Sequence, residues 1–367
     1  MFSKNIVAAA FATAFAAASF GAAAQQVPAG YPADYAKIID GAKKEGKLVI
    51  YAATDAKAAE PLVKDFNKMY PDIKVEYNDM NSTEIYNRFI SEVAAGGATA
   101  DVLWSSAMDL QIKLVHDGYG MKYPSREAAA LPAWAKMDDT AYGTTFEPAV
   151  FIYNKRQVSE AEVPHTHDEL VKLLDTKTDR YKNKVITYDV EKSGVGFMFI
   201  TQDMQANGKF WDLAKALGKV KVQVQSSTGS MMERVSSGED LLGYNILGSY
   251  ALVRAKKDPN LGVVLPKDYA LVLSRVEFIS KSAQHPNAAK LWTDFLLSKR
   301  GQTGIANDAK LFSIRPDVTG ATTSAELIAQ IGKGLKPLQV NASLLEYLDQ
   351  SKRLAFLKKW KEAMATK

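Results

Sequence analysis

Small clusters of hydroxyl, amide and carboxylate residues recur where apolar runs stop. They are Thr54-Asp55, Ser82-Thr83, Ser105-Ser106, Ser193-Gly194 and Ser227-Thr228. Serine, threonine and glycine let backbone donors come close to a ligand and add donors of their own. The first turn of a helix also carries unpaired N–H groups and the positive end of the helix dipole. The chemistry this favours is noncovalent capture of a phosphate or carboxylate. Taken singly, each cluster also reads as a helix cap. Their recurrence after strand ends in both halves of the chain points to one shared cleft. Asp55 adds an acceptor for a ligand hydroxyl or ammonium.

Covalent and metal chemistry find less support. The chain has no cysteine and four histidines. Disulfides, thiolate zinc sites, cysteine nucleophiles, iron–sulfur clusters and a cysteine lipid anchor are therefore excluded. Neither G-x-S-x-G nor H-E-x-x-H occurs, and no histidine stands at a predicted strand exit. His165-Thr166-His167 has the alternation of a metal pair but stands where a loop and cap are expected. Trp104, at a strand exit, suits ligand stacking or core packing. Glu147-Pro148 suits the hinge side of a cleft or a plain strand entry. Arg88, Arg234, Arg275 and Arg315 suit carboxylate clamps or salt bridges. Met231-Met232 fits a core, and Ser193-Gly194-Val195-Gly196 is too short for a nucleotide fingerprint.

The elements that position these clusters alternate. A helix is expected over Tyr35–Glu45 and a strand over Lys47–Ala52. A helix carrying Leu62, Val63, Phe66 and Met69 follows. A strand over Ile73–Tyr77 comes next, then a helix opened by Asn81 with Glu84 in capping-box spacing. Asp101–Trp104 is a third strand. Strand, helix, strand, helix, strand with short links implies an open parallel sheet covered by helices. Further strands are expected at Ala149–Asn154, Lys184–Tyr188, Val220–Val224, Leu241–Leu247, Gly262–Leu265, Tyr269–Leu273 and Val276–Ser280. Helices are expected from His167 and after Ser227, and the last 45 residues read as helical.

The 367 residues are 47% hydrophobic and 24% charged. At about 150 residues per domain, that length predicts two domains. Formal charge is +5 and scattered, so nucleic acid is not an expected partner. Lys4 is the only charge before Asp34. An Ala-rich apolar stretch over Ile6–Ala18 and the small residues Ala22-Ala23-Ala24 complete the plan of a cleaved export signal over residues 1–24.

From about Lys47 to Gln302 the chain resembles periplasmic solute-binding proteins of ABC importers, in the branch that holds ferric-, organophosphate- and phosphonate-binding members. LVIYAATDAKAAEPLVKDFNKMYPDIKVEY, NSTEIYNRF, ADVLWSSAMD, FIYN, KSGVGF and HPNAAKLWTDFLLSKRGQ carry the resemblance. It implies a two-lobed α/β periplasmic-binding-protein fold of type II. Each lobe is then an open, mostly parallel sheet flanked by helices, with the ligand cleft between them. Residues 25–145 with 270–322 form the expected first lobe, and 146–269 with 323–367 the second. The crossings are expected near Tyr142–Pro148 and Lys267–Ser274.

At the positions of the ferric ligands, Asp55 stands for the histidine, Glu84 can match the glutamate, and Ser249-Tyr250 keeps one of two tyrosines. Hard ferric iron favours several anionic oxygens, so these departures weaken an iron site. Ser193-Gly194-Val195 matches the loop that holds an anion beside the iron. The expected ligand is thus an anionic small organic molecule, held by Thr54, Asp55, Ser82, Thr83, Ser105 and Ser106 from the first lobe. Ser193, Gly194, Val195, Ser227, Thr228, Asn245, Ser249 and Tyr250 are the candidates on the second. The alternatives are a ferric-ion binder, a periplasmic sensor partner and a secreted hydrolase. The resemblance implies a monomer in the periplasm, no cofactor, and an inner-membrane ABC permease as partner.

Overall fold

The computed structural model describes residues 27–365; the export signal read at residues 1–24 lies outside them. Helix α1 (Ala36–Glu45) ends at Gly46, whose left-handed φ of 64° lets its N–H close on Ala42 O. There follow β1 (Lys47–Ala52), α2 (Ala56–Met69), β2 (Lys74–Asp79), α3 (Ser82–Ala94), β3 (Val102–Ser105) and α4 (Met108–His116). The short strands β4 (Lys136–Met137) and β5 (Ala141–Gly143) lead to β6 (Glu147–Asn154). The middle of the chain supplies α5 (His167–Thr176), α6 (Thr178–Tyr181), β7 (Val185–Tyr188), α7 (Gly194–Ala206), α8 (Phe210–Lys219) and β8 (Gln223–Gln225). It continues with α9 (Thr228–Ser237), β9 (Leu242–Leu247), α10 (Gly248–Ala255), β10 (Leu261–Val264) and β11 (Ala270–Leu273). The last elements are β12 (Val276–Ile279), α11 (Pro286–Leu297), α12 (Lys299–Gly304), α13 (Ser324–Ile331), β13 (Leu335–Pro337) and α14 (Gln350–Met364).

Two sheets result. The first has the order β2-β1-β3-β12-β5-β4, the second β13-β11-β6-β9-β7-β8, with β10 also on β6. Consecutive βαβ units pair in parallel, β1 with β2 and β3, and β7 with β8 and β9. Strands that carry the chain between the sheets pair antiparallel, β12 on β3 and β5, and β6 on β9 and β11. Strand β11 lies in the second sheet, against β6 and β13. Its residues 270–273, expected in the first lobe, thus sit on the other side of the crossing.

The chain crosses at Thr144–Phe146, at Ser274–Arg275 and over 310–323. The second crossing lies at the end of the expected Lys267–Ser274 range and runs one residue past it. The crossings are laced together. Thr144 N–H donates to Arg275 O, Thr145 N–H to Ser274 Oγ, and Phe146 N–H to Phe312 O. Each lobe has its own apolar cluster, around Phe66, Trp104 and Trp292 in the first, where Tyr250 of α10 also packs, and around Phe210, Tyr244 and Trp360 in the second. A further cluster, with Met108 and Ile112 beside Ile152 and Phe199, spans both near the hinge.

Within the first lobe's core, Glu277 is fully buried and only its Oε1 is bonded, to the Thr293 hydroxyl. Burial pushes its pKa up to about 8, against a relief from Thr293 that is too small to offset it. Its folded value lies above its unfolded value, so the native state holds the extra proton between pH ~4.3 and 8. Stability therefore falls as pH rises through that window. Glu277→Gln is expected to flatten the fall in melting temperature between pH 5 and 8; identical slopes for the two proteins would contradict this.

Candidate functional site

A cavity of about 190 Å³ lies between the lobes. Ala53, Asp55, Asp79, Met80, Asn81, Ser82 and Ser106 form its first-lobe wall, at the carboxyl ends of β1, β2 and β3. Tyr188, Val195, Ser226 to Gly229, Leu247 and Tyr250 form the second. This is where open α/β sheets place ligands. The first turn of α3 reaches it through Ser82, and those of α7 and α9 through Val195 and Thr228-Gly229; Ser106 stands in the link between β3 and α4. Their leading N–H groups have no partner within the helix. A Cβ on Gly229 would meet only Ser227 Oγ, at 3.5 Å, so backbone there is open to close approach.

Of the residues expected from sequence, Asp55, Ser82, Ser106, Val195, Ser227, Thr228 and Tyr250 line this cavity. The others have different work. Ser193 Oγ caps α7 by accepting the Gly196 N–H at 3.2 Å. Ser105 Oγ accepts the Ala107 N–H. Thr54 is buried and its hydroxyl accepts from Arg275. Asn245 is buried in β9 at a left-handed φ of 59° and donates to Asp203, away from the cavity. Ser249 donates to Glu147. Thr83 and Gly194 join the lobes: Thr83 Oγ1 accepts the Gly194 N–H at 3.0 Å and donates to Lys192 O at 3.1 Å. Asp79, Met80, Asn81, Ser226 and Gly229 also line the cavity and are not among the contacts expected from sequence. Asp79 closes β2, so the strand-end rule alone would have found it.

The hinge side is built on one buried ion pair. Arg275 and Glu147 both have no exposed side-chain surface. Arg275 Nε donates to Glu147 Oε1 at 2.7 Å and Nη2 to Oε2 at 3.0 Å. Nη1 reaches into the first lobe, to Ala53 O and Thr54 Oγ1. Burial disfavours the guanidinium charge, but the Glu147 carboxylate outweighs it and holds the Arg275 pKa above its ordinary value. The ring of Tyr250 lies 5.0 Å over the guanidinium, and its hydroxyl accepts the Asp55 N–H at 3.1 Å. Burial raises the Tyr250 pKa to about 12, partly opposed by Arg275, so the phenol is neutral at pH 7.

The remaining sequence candidates are structural. Trp104 is buried and donates from Nε1 to Thr144 Oγ1 at 2.8 Å. His167 bonds Asp268 and stacks on Tyr269. Arg88, Arg234 and Arg315 pair with Glu92, Asp240 and Asp317. Met231 and Met232 are core residues. Among the described residues no cluster of His, Asp and Glu is arranged to hold a metal, and no helix is long and apolar enough to cross a membrane.

Known proteins share this architecture. The family model for bacterial extracellular solute-binding proteins matches residues 61–330. A substrate-binding protein of an ABC transporter from Agrobacterium tumefaciens is 42% identical, with a TM-score of 0.83 over 87% of this chain and 94% of that one. The periplasmic binding protein AfuA from Actinobacillus pleuropneumoniae, solved with fructose-6-phosphate, is 19% identical, with a TM-score of 0.71 over 87% of this chain and 98% of that one. Iron-bound HitA from Pseudomonas aeruginosa is also 19% identical, with a TM-score of 0.68 over 86% and 99%. Among curated proteins none matches. With the match to the family model spanning well over half its length, the chain belongs to the bacterial extracellular solute-binding proteins, whose solved relatives include substrate-binding proteins of ABC transporters.

Proposed function

We propose that the protein captures an anionic small organic solute, a phosphate ester, phosphonate or carboxylate, by closing its lobes in the periplasm, and delivers it to an inner-membrane ABC permease. The observation that carries this is the convergence of three helix N-termini, α3 from the first lobe and α7 and α9 from the second, on one cavity. Driving a cleft from 1:99 to 99:1 closed takes about 5.5 kcal/mol of differential affinity. Hydrogen bonds to a charged group contribute roughly 1.5–3 kcal/mol each, so two to four bonds spanning the cleft suffice. A ferric site is less favoured: Tyr250 is a neutral phenol engaged with Asp55, and Glu84 lies outside the cavity. A serine-type catalytic pair is less favoured too, because among the described residues no histidine lines the cavity beside its serine and threonine hydroxyls. The protein acts as a monomer in this reading.

The test is a thermal-shift screen of the purified protein against phosphate esters, phosphonates, carboxylates and ferric salt. A ligand at 100 times its Kd stabilises the native state by about 2.7 kcal/mol. At least one anion is expected to raise the melting temperature in proportion to the logarithm of its concentration. A rise with ferric salt alone, accompanied by a visible tyrosinate band, would replace this reading with the iron one.

A further inference from the structure

The cavity is acidic at one end. Asp55, at the N-cap of α2, and Asp79, the last residue of β2, stand on the first-lobe wall, and among the described residues no lysine or arginine lines the cavity. Asp79 Oδ2 accepts the Ala56 N–H at 2.9 Å, which leaves its second oxygen for the cavity. The guanidinium beneath, Arg275, is neutralised by Glu147 and covered by the Tyr250 ring. A compact anion would thus bring its charge toward two like charges, offset only by Arg275, whose charge Glu147 already shares.

The other end is different. Ser82 and Ser106 are only 5% and 3% exposed, line the cavity, and their hydroxyls have no hydrogen-bond partner among the described residues. Neither oxygen is sealed from solvent, so both open on the cavity and are free to bond a ligand there. Ser82 Oγ lies 3.1 Å from the place a Cβ would take on Gly194, so it stands at the N-terminus of α7. The hydroxyl end and the carboxylate end belong to one cavity of about 190 Å³. A cavity near 150 Å³ admits a benzene-sized molecule, so a ligand of about eight non-hydrogen atoms spans it.

We propose that the ligand is zwitterionic: an amine-bearing phosphate monoester or phosphonate. Its anionic group sits on the Ser82 and Ser106 hydroxyls and the first turns of α7 and α9, and its ammonium faces Asp55 and Asp79. This rests on the anion reading above and adds the charge of the other end. It also accounts for the two carboxylates that an anion alone would avoid.

Calorimetric titration of the purified protein with O-phosphoethanolamine, ethyl phosphate and glycerol 3-phosphate tests it. O-phosphoethanolamine is expected to bind at least tenfold more tightly than ethyl phosphate. Asp79→Asn, which keeps an acceptor for Ala56, is expected to weaken O-phosphoethanolamine at least tenfold and to tighten ethyl phosphate, because the repulsion is gone. Asp55→Asn should act in the same two directions, with melting curves showing that both variants fold. Equal or tighter binding of ethyl phosphate by the unaltered protein would sink this inference alone. Tighter binding of glycerol 3-phosphate would do the same and assign the carboxylates to ligand hydroxyls. Failure of every phosphate, phosphonate and carboxylate to bind would remove the anion reading as well.

Discussion

Arg275→Leu is expected to lower the unfolding free energy by about 3–5 kcal/mol, the range for removing one partner of a buried ion pair. Glu147 would be left as a wholly buried carboxylate, still accepting from the Thr145 and Ser249 hydroxyls but without its cation. The loss does not stop at the pair. Nη1 of Arg275 binds Ala53 O and Thr54 Oγ1 in the first lobe, while Glu147 begins β6 in the second. One guanidinium therefore ties the exit of β1 to the entry of β6 at the point where the chain crosses. The urea midpoint of the variant should fall well below that of the parent. Replacing both residues, Arg275→Leu with Glu147→Leu, should restore much of the loss, because no unpaired charge is then buried. A single variant within 1 kcal/mol of the parent would show that the pair is worth little, and the account of the hinge given above would fail. Arg275→Lys separates charge from geometry: a point charge cannot hold both Glu147 oxygens and Thr54 together, so a partial loss is expected.

The two ends of this hinge pair were visible in the sequence as separate options, Glu147 as a hinge residue and Arg275 as a clamp. Nothing in their spacing, 128 residues apart, could join them. The alternation of strands and helices was legible because half-buried strands and amphipathic helices leave periods of 2 and 3.6. It failed where burial removes the period. Helix α7 is apolar nearly all round, with Phe197, Met198, Phe199 and Ile200 all buried, so its period carries no helix signal and only the Ser193-Gly194 cluster marks its start. Strand β13 is three residues long and ends in proline, too short to stand out within the last 45 residues, which read as helical. The strand expected over Val220–Val224 forms instead at Gln223–Gln225, because Val220 caps α8 and packs beneath it.

The same limit applies to the cleft. The strand ends that meet there could be located from sequence, but not which way each hydroxyl turns. Ser193 and Ser82 both open helices next to an apolar run. The Ser193 side chain folds back as a cap, whereas α3 is capped by Asn81, which accepts the Thr83 N–H and leaves Ser82 to the cavity. That difference is one residue of phase at a helix start. Asn245 and Ser249 belong to the same strand exit as Leu247, yet each turns to an acid inside the protein, Asp203 and Glu147. The partners are remote in sequence, so the spacing of the local residues carried no sign of them.

Gly194 shows what the anion-loop resemblance left out, and its replacement is the sharper test of closure. A Cβ built there would stand 2.8 Å from Leu110 Cδ1, 3.1 Å from Ser82 Oγ and 3.2 Å from Ala107 Cβ. All three neighbours belong to the first lobe, while Gly194 begins α7 in the second. The close approach exists only when the lobes meet. Its N–H bond to Thr83 Oγ1 depends on the same approach. Valine at this position would overpack the closed state and leave an open state untouched. Overpacking of this kind costs about 1–3 kcal/mol, and at 1.4 kcal/mol per decade of affinity that is roughly a 5- to 150-fold weaker apparent Kd. The reason is population: ligand affinity scales with the fraction of molecules able to close. Titration of Gly194→Val with any anion that stabilises the parent should show this loss, while its unliganded melting temperature stays within about 4 °C of the parent, a change of order 1 kcal/mol. Small-angle scattering should show the parent compacting on ligand addition and the variant doing so only at higher concentration. Unchanged affinity would mean that the contact of α7 with α3 and α4 is not part of the ligand-bound state, and that the lobes grip their solute in some other arrangement.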